Sequence, residues 1–388
     1  MNVLDLDANA TTPILPAAWE AMAPVMADAY GNPSSAHAVG RAARRHLEDA
    51  RDRVAGLLGA TAEEVIFTSG ATEANNLALF GLFPPGERGA SILAAPIEHP
   101  CVIGPLAALE KQGVRVDWLP VNAAGVVEQK AVLERVSADT RLVTLMLVNH
   151  ETGAIQPVRH VAKTMPKGVL VHTDAAQAVG KLPVNFGDLG VTVLTASAHK
   201  FRGPKGVGLL LLKAGTKLTP RMHGGHQQRG HRPGTEPVAL TVGLAVALEH
   251  AVTHLAENVA RVTAVRDAFL QSLRAESVAF VVNTPTDAVP HVANVSFPGC
   301  RSELLLMALD LAGVACSTGS ACSSGSLLPS PVLQAMGVPD DVLESAMRFS
   351  FGTTLSETDA TEAARRVAEC VRRSRGQEVG LGGGNGGA

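Results

Sequence analysis

The chain has 388 residues, and its 33 lysines and arginines against 36 aspartates and glutamates leave a formal charge of −3, which gives no case for a nucleic-acid or membrane-surface partner. With 46% hydrophobic and 18% charged residues it can bury large cores, and its length predicts more than one domain. Apolar runs such as 242–248 stop at Glu249 and His250, short of the roughly 20 residues that span a bilayer.

The first residues, MNVLDLDANATTP, carry two acids and no basic stretch of signal-peptide type, so a cytoplasmic location is expected. Short apolar, β-branched runs at 64–68, 91–95, 114–119, 142–148, 169–173, 191–195 and 207–212 predict strands buried on both faces of a mostly parallel sheet. Helical spacing at 72–83 and 101–112 places helices between them. After Pro237 the pattern changes to one long helical tract reaching about Leu273. Two short strands follow at 279–282 and 292–297, then a helix at 302–312, a Ser/Gly-rich loop at 317–326, a strand near 347–351 and a last helix from about Glu357. The expected architecture is a large α/β domain over 13–250 with helices on both faces of its sheet, and a smaller α+β domain built from 1–12 and 251–375. Seven glycines in thirteen residues predict that 376–388 is disordered.

Ligands of open parallel sheets bind beyond the carboxyl ends of the strands, so polar residues just after a strand are the candidates. Asp174 ends one predicted strand and His199-Lys200 ends the next. A lysine and an acid there suit pyridoxal 5'-phosphate (PLP), whose aldehyde needs an amine and whose ring nitrogen needs an acid; a solvated ion pair is the plainer alternative. Residues 68–72 form a strand-to-helix turn that could cradle a phosphate on free N–H groups or hold an ordinary helix cap. His99, again at a strand mouth, could serve as acid or base.

Nine of the ten residues at 317–326 are Ser, Thr, Gly or Ala, and the tenth is Cys322, which reads as a thiol kept for its reactivity. Cys316 reads as a small buried hydrophobe. Cys101, Cys300 and Cys370 give no site argument, and five cysteines without a C-x-x-C pair argue against disulfides or a zinc knuckle. His223, His226 and His231 lie close in sequence, but their intervening glycines supply no rigid frame and no metal is expected.

In order along the chain stand LDANATTP, GNPSSAH, FTSGATEANNLA, EHP, VNHETGAIQPV, HTDAAQAVGKLPV, SAHKFRGPKGVG, HGGHQQRGHRPGTEP, STGSACSSGS and MRFSFG. From about Leu6 to Arg372 the chain thereby resembles the cysteine desulfurases, PLP enzymes of the class V aminotransferase group with fold type I. The resemblance implies removal of sulfur from L-cysteine, giving L-alanine and a persulfide on Cys322. It makes Lys200 the Schiff-base lysine, Asp174 the partner of the ring nitrogen, Gln177 the partner of the ring hydroxyl and His99 the residue that stacks on the ring and shuttles protons. Ala71, Thr72, Ser197 and His199 would hold the phosphate, Thr235 would reach the phosphate of the neighbouring subunit in a homodimer, and Arg348 would clamp the substrate carboxylate.

One departure stands out: the family usually reads Asn-Asn-Glu where this chain has Asn149-His150-Glu151, putting His150 at a position that commonly contacts cofactor and substrate. The long stretch 317–331 resembles the type that carries sulfur to an acceptor or scaffold protein, for iron–sulfur cluster assembly or tRNA thiolation. A selenocysteine lyase or another β-eliminating relative would share the fold without needing Cys322. A non-catalytic scaffold is the alternative of a different class.

Overall fold

The computed structural model describes residues 3–83, 89–318 and 329–381, with side chains described to Arg375. Cys322 and most of its Ser/Gly-rich segment lie outside the described residues. After a short strand β1 (Leu4–Asp5), seven strands build the main sheet: β2 (Val65–Thr68), β3 (Ser91–Ala94), β4 (Arg115–Trp118), β5 (Thr140–Thr144), β6 (Leu170–Asp174), β7 (Val193–Ser197) and β8 (Gly208–Leu212). Their order is β2-β8-β7-β6-β5-β3-β4, and β8 alone runs against its neighbours.

Both faces of this sheet are buried because successive side chains point to opposite sides. Phe67, Leu93, Val143, Leu194, Leu209 and Leu211 face one core with the helices Pro16–Asp28, Ala38–Leu58 and Val238–Thr253. Ile66, Ile92, Leu142, Val193, Leu210 and Leu212 face another with the helices Ala71–Leu82 and Pro100–Glu110. Such runs are apolar at every position, which is what a doubly covered sheet requires.

The tract after Pro237 is two helices, Val238–Thr253 and Leu255–Ala275, bent by 74° at His254. The bend has a packing cause. Leu244, Ala247 and Leu248 belong to the main core, whereas Val262, Val265, Phe269 and Leu273 belong to a separate one. That second core lies under an antiparallel sheet of β9 (Val281–Val282), β10 (Val292–Ser296), β12 (Ser317–Thr318) and β13 (Ala346–Ser350), ordered β12-β13-β10-β9; β11 (Val314–Ala315) pairs instead with β1.

The last helix, Glu357–Leu381, continues past the point where composition predicted disorder, because a helix nucleated on the buried face of Ala360, Ala364, Val367 and Val371 propagates at little cost per residue. Residues 382–388 lie outside the described residues. Among the described residues no single helix is long and apolar enough to cross a membrane.

Candidate active site

Where β6 and β7 end, a cavity of ≈ 490 Å³ opens, and Ala71, Thr72, His99, His150, Asp174, Gln177, Ser197, His199 and Lys200 all line it. They arrive from the ends of several elements and the turns between them. Asp174 is the last residue of β6, Ser197 the last of β7, and Lys200 ends the 3-10 turn Ala198–Lys200 that follows. Ala71 and Thr72 begin a 12-residue helix whose first N–H groups have no helical partner. Close packing holds that turn down: a Cβ on Gly208 would stand 2.6 Å from Gly70 Cα. Only glycine lets β8 start there.

Asp174 is buried but not unsolvated in effect. Its Oδ1 accepts from Ala176 N–H at 2.9 Å and its Oδ2 from the Asn75 amide at 2.7 Å. Asn75 Oδ1 in turn accepts from Thr195 Oγ1 at 2.6 Å and lies 3.0 Å from His172 Nε2. Burial holds His172 at about 4, so it is neutral, its Nε2 carries the proton and its Nδ1 accepts from Thr144 Oγ1 at 2.8 Å. Every polar atom of this buried chain is used, which fixes the carboxylate in one pose.

Lys200 Nζ donates to the carbonyls of Asn9 at 2.5 Å and Ala10 at 2.9 Å. Asn9 also takes a hydrogen bond from Gln177 Nε2 on its carbonyl, 3.0 Å, and gives one from Nδ2 to His150 O, 3.2 Å. The N-terminal segment thus roofs the cavity on the lysine side. Burial, then Lys200, Lys205 and Lys181, hold His199 at about 4.

His99 caps the helix Pro100–Glu110, whose first position is proline, and its Nδ1 accepts from Cys101 N–H at 3.1 Å. The His99 and His150 rings meet edge to face, centroids 5.1 Å apart. Burial, then His99, Arg348 and Lys200, push His150 well below the usual histidine range, so its 3.7 Å approach to Glu151 is no charge pair. His150 Nδ1 is buried without a partner. Asn149, by contrast, spends its side chain on local backbone: Nδ2 on Ile97 O, Oδ1 on Glu151 and Thr152 N–H.

Two candidate residues lie elsewhere. Arg348, 2% exposed, does not line the cavity; its Nη2 pairs with Asp7 at 2.9 Å, its Nη1 donates to His150 O at 3.3 Å, and its Nε is buried without a partner. Thr235 is outside the cavity, in the loop before the helix Val238–Thr253. Sequence reasoning passed over Cys101, which lines the cavity, and Asn75, Asn9 and Lys181, which hold its lining in place. Asn75 recurs one helical turn beyond Ala71, a spacing that could have flagged it.

The donor set fits PLP: an amine, a carboxylate fixed by two donors, free helix N–H groups, the Ser197 hydroxyl, and a buried unpartnered nitrogen on His150 share one cavity.

Comparison with known proteins agrees. Residues 5–362 match the family model Aminotransferase class-V. The chain is 40% identical over 373 residues to the cysteine desulfurase IscS of Dictyoglomus turgidum, covering 95% of each protein. Among solved structures it is similar to a NifS-like protein, with a TM-score of 0.90 and 35% identity over 96% of this chain and all of that one. It is also similar to SspA solved in complex with cysteine, with a TM-score of 0.79 and 32% identity over 89% of this chain and 98% of the other. By fold, by the content of its cavity and by these likenesses, the chain belongs to the class-V aminotransferase family and, within it, to the cysteine desulfurases.

Proposed function

We propose that this chain takes the sulfur of L-cysteine, releases L-alanine and holds the sulfur as a persulfide on Cys322 for an acceptor protein, in iron–sulfur cluster assembly or tRNA thiolation. The observation that carries it is the convergence of Lys200, Asp174, His99 and the Ala71 helix start on one cavity. PLP, when bound, supplies an aldehyde for an amine and a ring that accepts electrons from the substrate.

Lys200 would hold the cofactor by its amine, after giving up the carbonyls of Asn9 and Ala10. Asp174, fixed in one pose by the donors of Asn75 and Ala176, would be the acidic partner of the ring nitrogen. Gln177 would meet the ring hydroxyl. The N–H groups of Ala71 and Thr72, with Ser197 and His199, would bind the phosphate. His99 would stack on the ring and exchange protons with the substrate, and His150 would offer its free Nδ1 to cofactor or substrate. Arg348 would bind the substrate carboxylate by turning its fork from Asp7, and its unpartnered Nε supports a role beyond that ion pair. A homodimer in which Thr235 completes the opposite phosphate site fits the position of that loop away from its own cavity.

The flanks of the Cys322 segment favour delivery to this site. On one side Ser317 Oγ donates to Asp7 Oδ2 at 2.9 Å and Ser317 pairs with Arg348 across β12 and β13. On the other, Ser330 Oγ donates to Glu151 Oε2 at 2.5 Å, next to His150. Both ends are anchored on the side of the cavity where the substrate carboxylate would lie. Alanine and sulfide release from cysteine by wild type and Cys322→Ser tests the proposal. Cys322→Ser is expected to keep the cofactor absorbance and lose persulfide and nearly all sulfide. Retention of most sulfide release would instead make the protein a β-eliminating lyase.

A further inference from the structure

The inner nitrogen of His99 has two neighbours that decide its protonation. Cys101 N–H donates to Nδ1 at 3.1 Å, so Nδ1 carries a lone pair and the ring's proton is on Nε2. Cys101 Sγ lies 2.9 Å from the same nitrogen. Facing a lone pair, the sulfur can only donate. The other side of the sulfur is occupied, since Asn75 Nδ2 donates to it at 3.0 Å. Asn75 cannot be turned over, because its oxygen would then face Asp174 Oδ2 at 2.7 Å and its nitrogen would lose the acceptor. The remaining acceptor for the thiol proton, Asp174 Oδ2, is farther, at 3.8 Å.

We infer that Cys101 is a positioning residue for His99, donating its thiol proton to Nδ1 and thereby locking the imidazole in the tautomer that presents N–H, not a lone pair, on Nε2. This deepens the proposed role of His99 and rests on that reading for its catalytic meaning, though not for its chemistry. Two donors aimed at Nδ1 oppose formation of the imidazolium, whose second proton would have to sit there. His99 therefore starts the reaction as a neutral donor. The thiol can play this part because burial, then Asp174, push it far above the usual cysteine range, so it keeps its proton. Several charges face His99 from other elements: Asp174 at the end of β6, Lys200 after β7 and Arg348 on β13, with the His150 ring beside it. Burial, Lys200 and Arg348 hold its pKa down and Asp174 opposes them.

The chain Asp174–Asn75–Cys101–His99 also ties the acid for the ring nitrogen to the proton carrier through two hydrogen-bonded side chains. Alanine at 101 would cut it; serine, with a hydroxyl donor, would keep it.

The test uses the cofactor-loaded enzyme. The S–H stretch of a thiol lies in an infrared window clear of other protein bands, and the wild-type minus Cys101→Ser difference isolates the Cys101 band. The expected band is shifted to low frequency and intensified by a strong acceptor, and returns toward the free-thiol position in His99→Gln. In parallel, the acid limb of the kcat/KM profile in Cys101→Ala is expected to move up by about half a unit to one unit, the worth of one hydrogen bond, with Cys101→Ser restoring the wild-type limb. A Cys101 band at the free-thiol frequency, or a band unmoved by His99→Gln, overturns the inference. So does an unchanged acid limb in Cys101→Ala. If Cys101→Ala does not fold, the infrared comparison alone decides. A shifted band together with full turnover in His99→Gln would sink the proposed role of His99 while leaving its tautomer assigned.

Discussion

Lys181 donates to Gln177 Oε1 at 2.5 Å from the next turn of the chain. Its other acceptor is Asn9 Oδ1 at 3.0 Å, and among the described residues no carboxylate pairs with it. Burial, then Lys200 and Arg348, push it well below the usual lysine range. This buried amine orients both Gln177 and the Asn9 roof. Lys181→Met should keep the aliphatic packing and release those two amides. Cofactor affinity, measured by dialysis and visible absorbance, should fall about 5- to 10-fold for the loss of roughly one hydrogen bond's worth of order. An unchanged affinity would show that Gln177 is held without it.

Lys200 is one of three lysines near the cavity: Lys205 lines it and Lys181 lies behind Gln177. Borohydride reduction followed by peptide mapping should place the cofactor on Lys200 alone, and Lys200→Ala should leave neither neighbour labelled, since their amines belong to other partners or positions. Label on Lys181 or Lys205 in the wild type would displace the assignment.

His150 tests the departure from the family's usual asparagine. His150→Asn should retain cofactor and change the KM for cysteine by no more than about 10-fold, the range of one hydrogen bond. His150→Ala leaves no polar atom at the position, and a KM and cofactor affinity equal to wild type would end the case for a site role.

Glu98 gives a prediction in pH. Burial raises its pKa to about 8; Oε1 accepts from Met146 N–H at 2.6 Å and Oε2 has no partner. A carboxyl whose folded pKa lies above its unfolded value contributes most at low pH, and that contribution is lost as pH rises from about 4.5 through 8. Glu98→Gln has no proton to lose. Relative to wild type, its stability to denaturant should therefore rise across that window, by up to the order of 4 kcal/mol. Parallel stability profiles for the two proteins would refute the assignment.

The strands were legible because a sheet covered on both faces is apolar at every position, and the runs at 91–95 and 191–195 could hardly be anything else. The reversal of β8 was not, since Leu209–Leu212 look the same read in either direction along the sheet. The break at His254 was hidden for a related reason. Helical periodicity records burial but not which core does the burying, and Ala251 and Val262 face different ones. Asp174, Lys200 and His99 were visible as polar residues at strand mouths. Cys101 was not, because its value comes from a capping geometry that brings Sγ back onto His99. Asn9 acts through contacts 141 to 191 residues away, the one with Lys181 among them at 172, and no local pattern reports such pairs.

The pairing of β1 with β11 joins Leu4 to Val314. A ribosome adding about 5–20 residues each second makes Leu4 first and its partner some 310 residues later, on the order of 15–60 s afterwards. Asn9, Ala10 and Thr11 are on the same leading segment, so the roof over Lys200 is synthesised early but its neighbouring strand cannot be docked until most of the chain has emerged. The nascent protein can assemble its seven-stranded sheet, and seat Asn9 and Ala10 on it, before β1 has its partner strand. The anchoring of the roof's leading strand is thereby tied to synthesis of the second core, and chains released before Val314 would carry Lys200 under a roof held only by its contacts to the first.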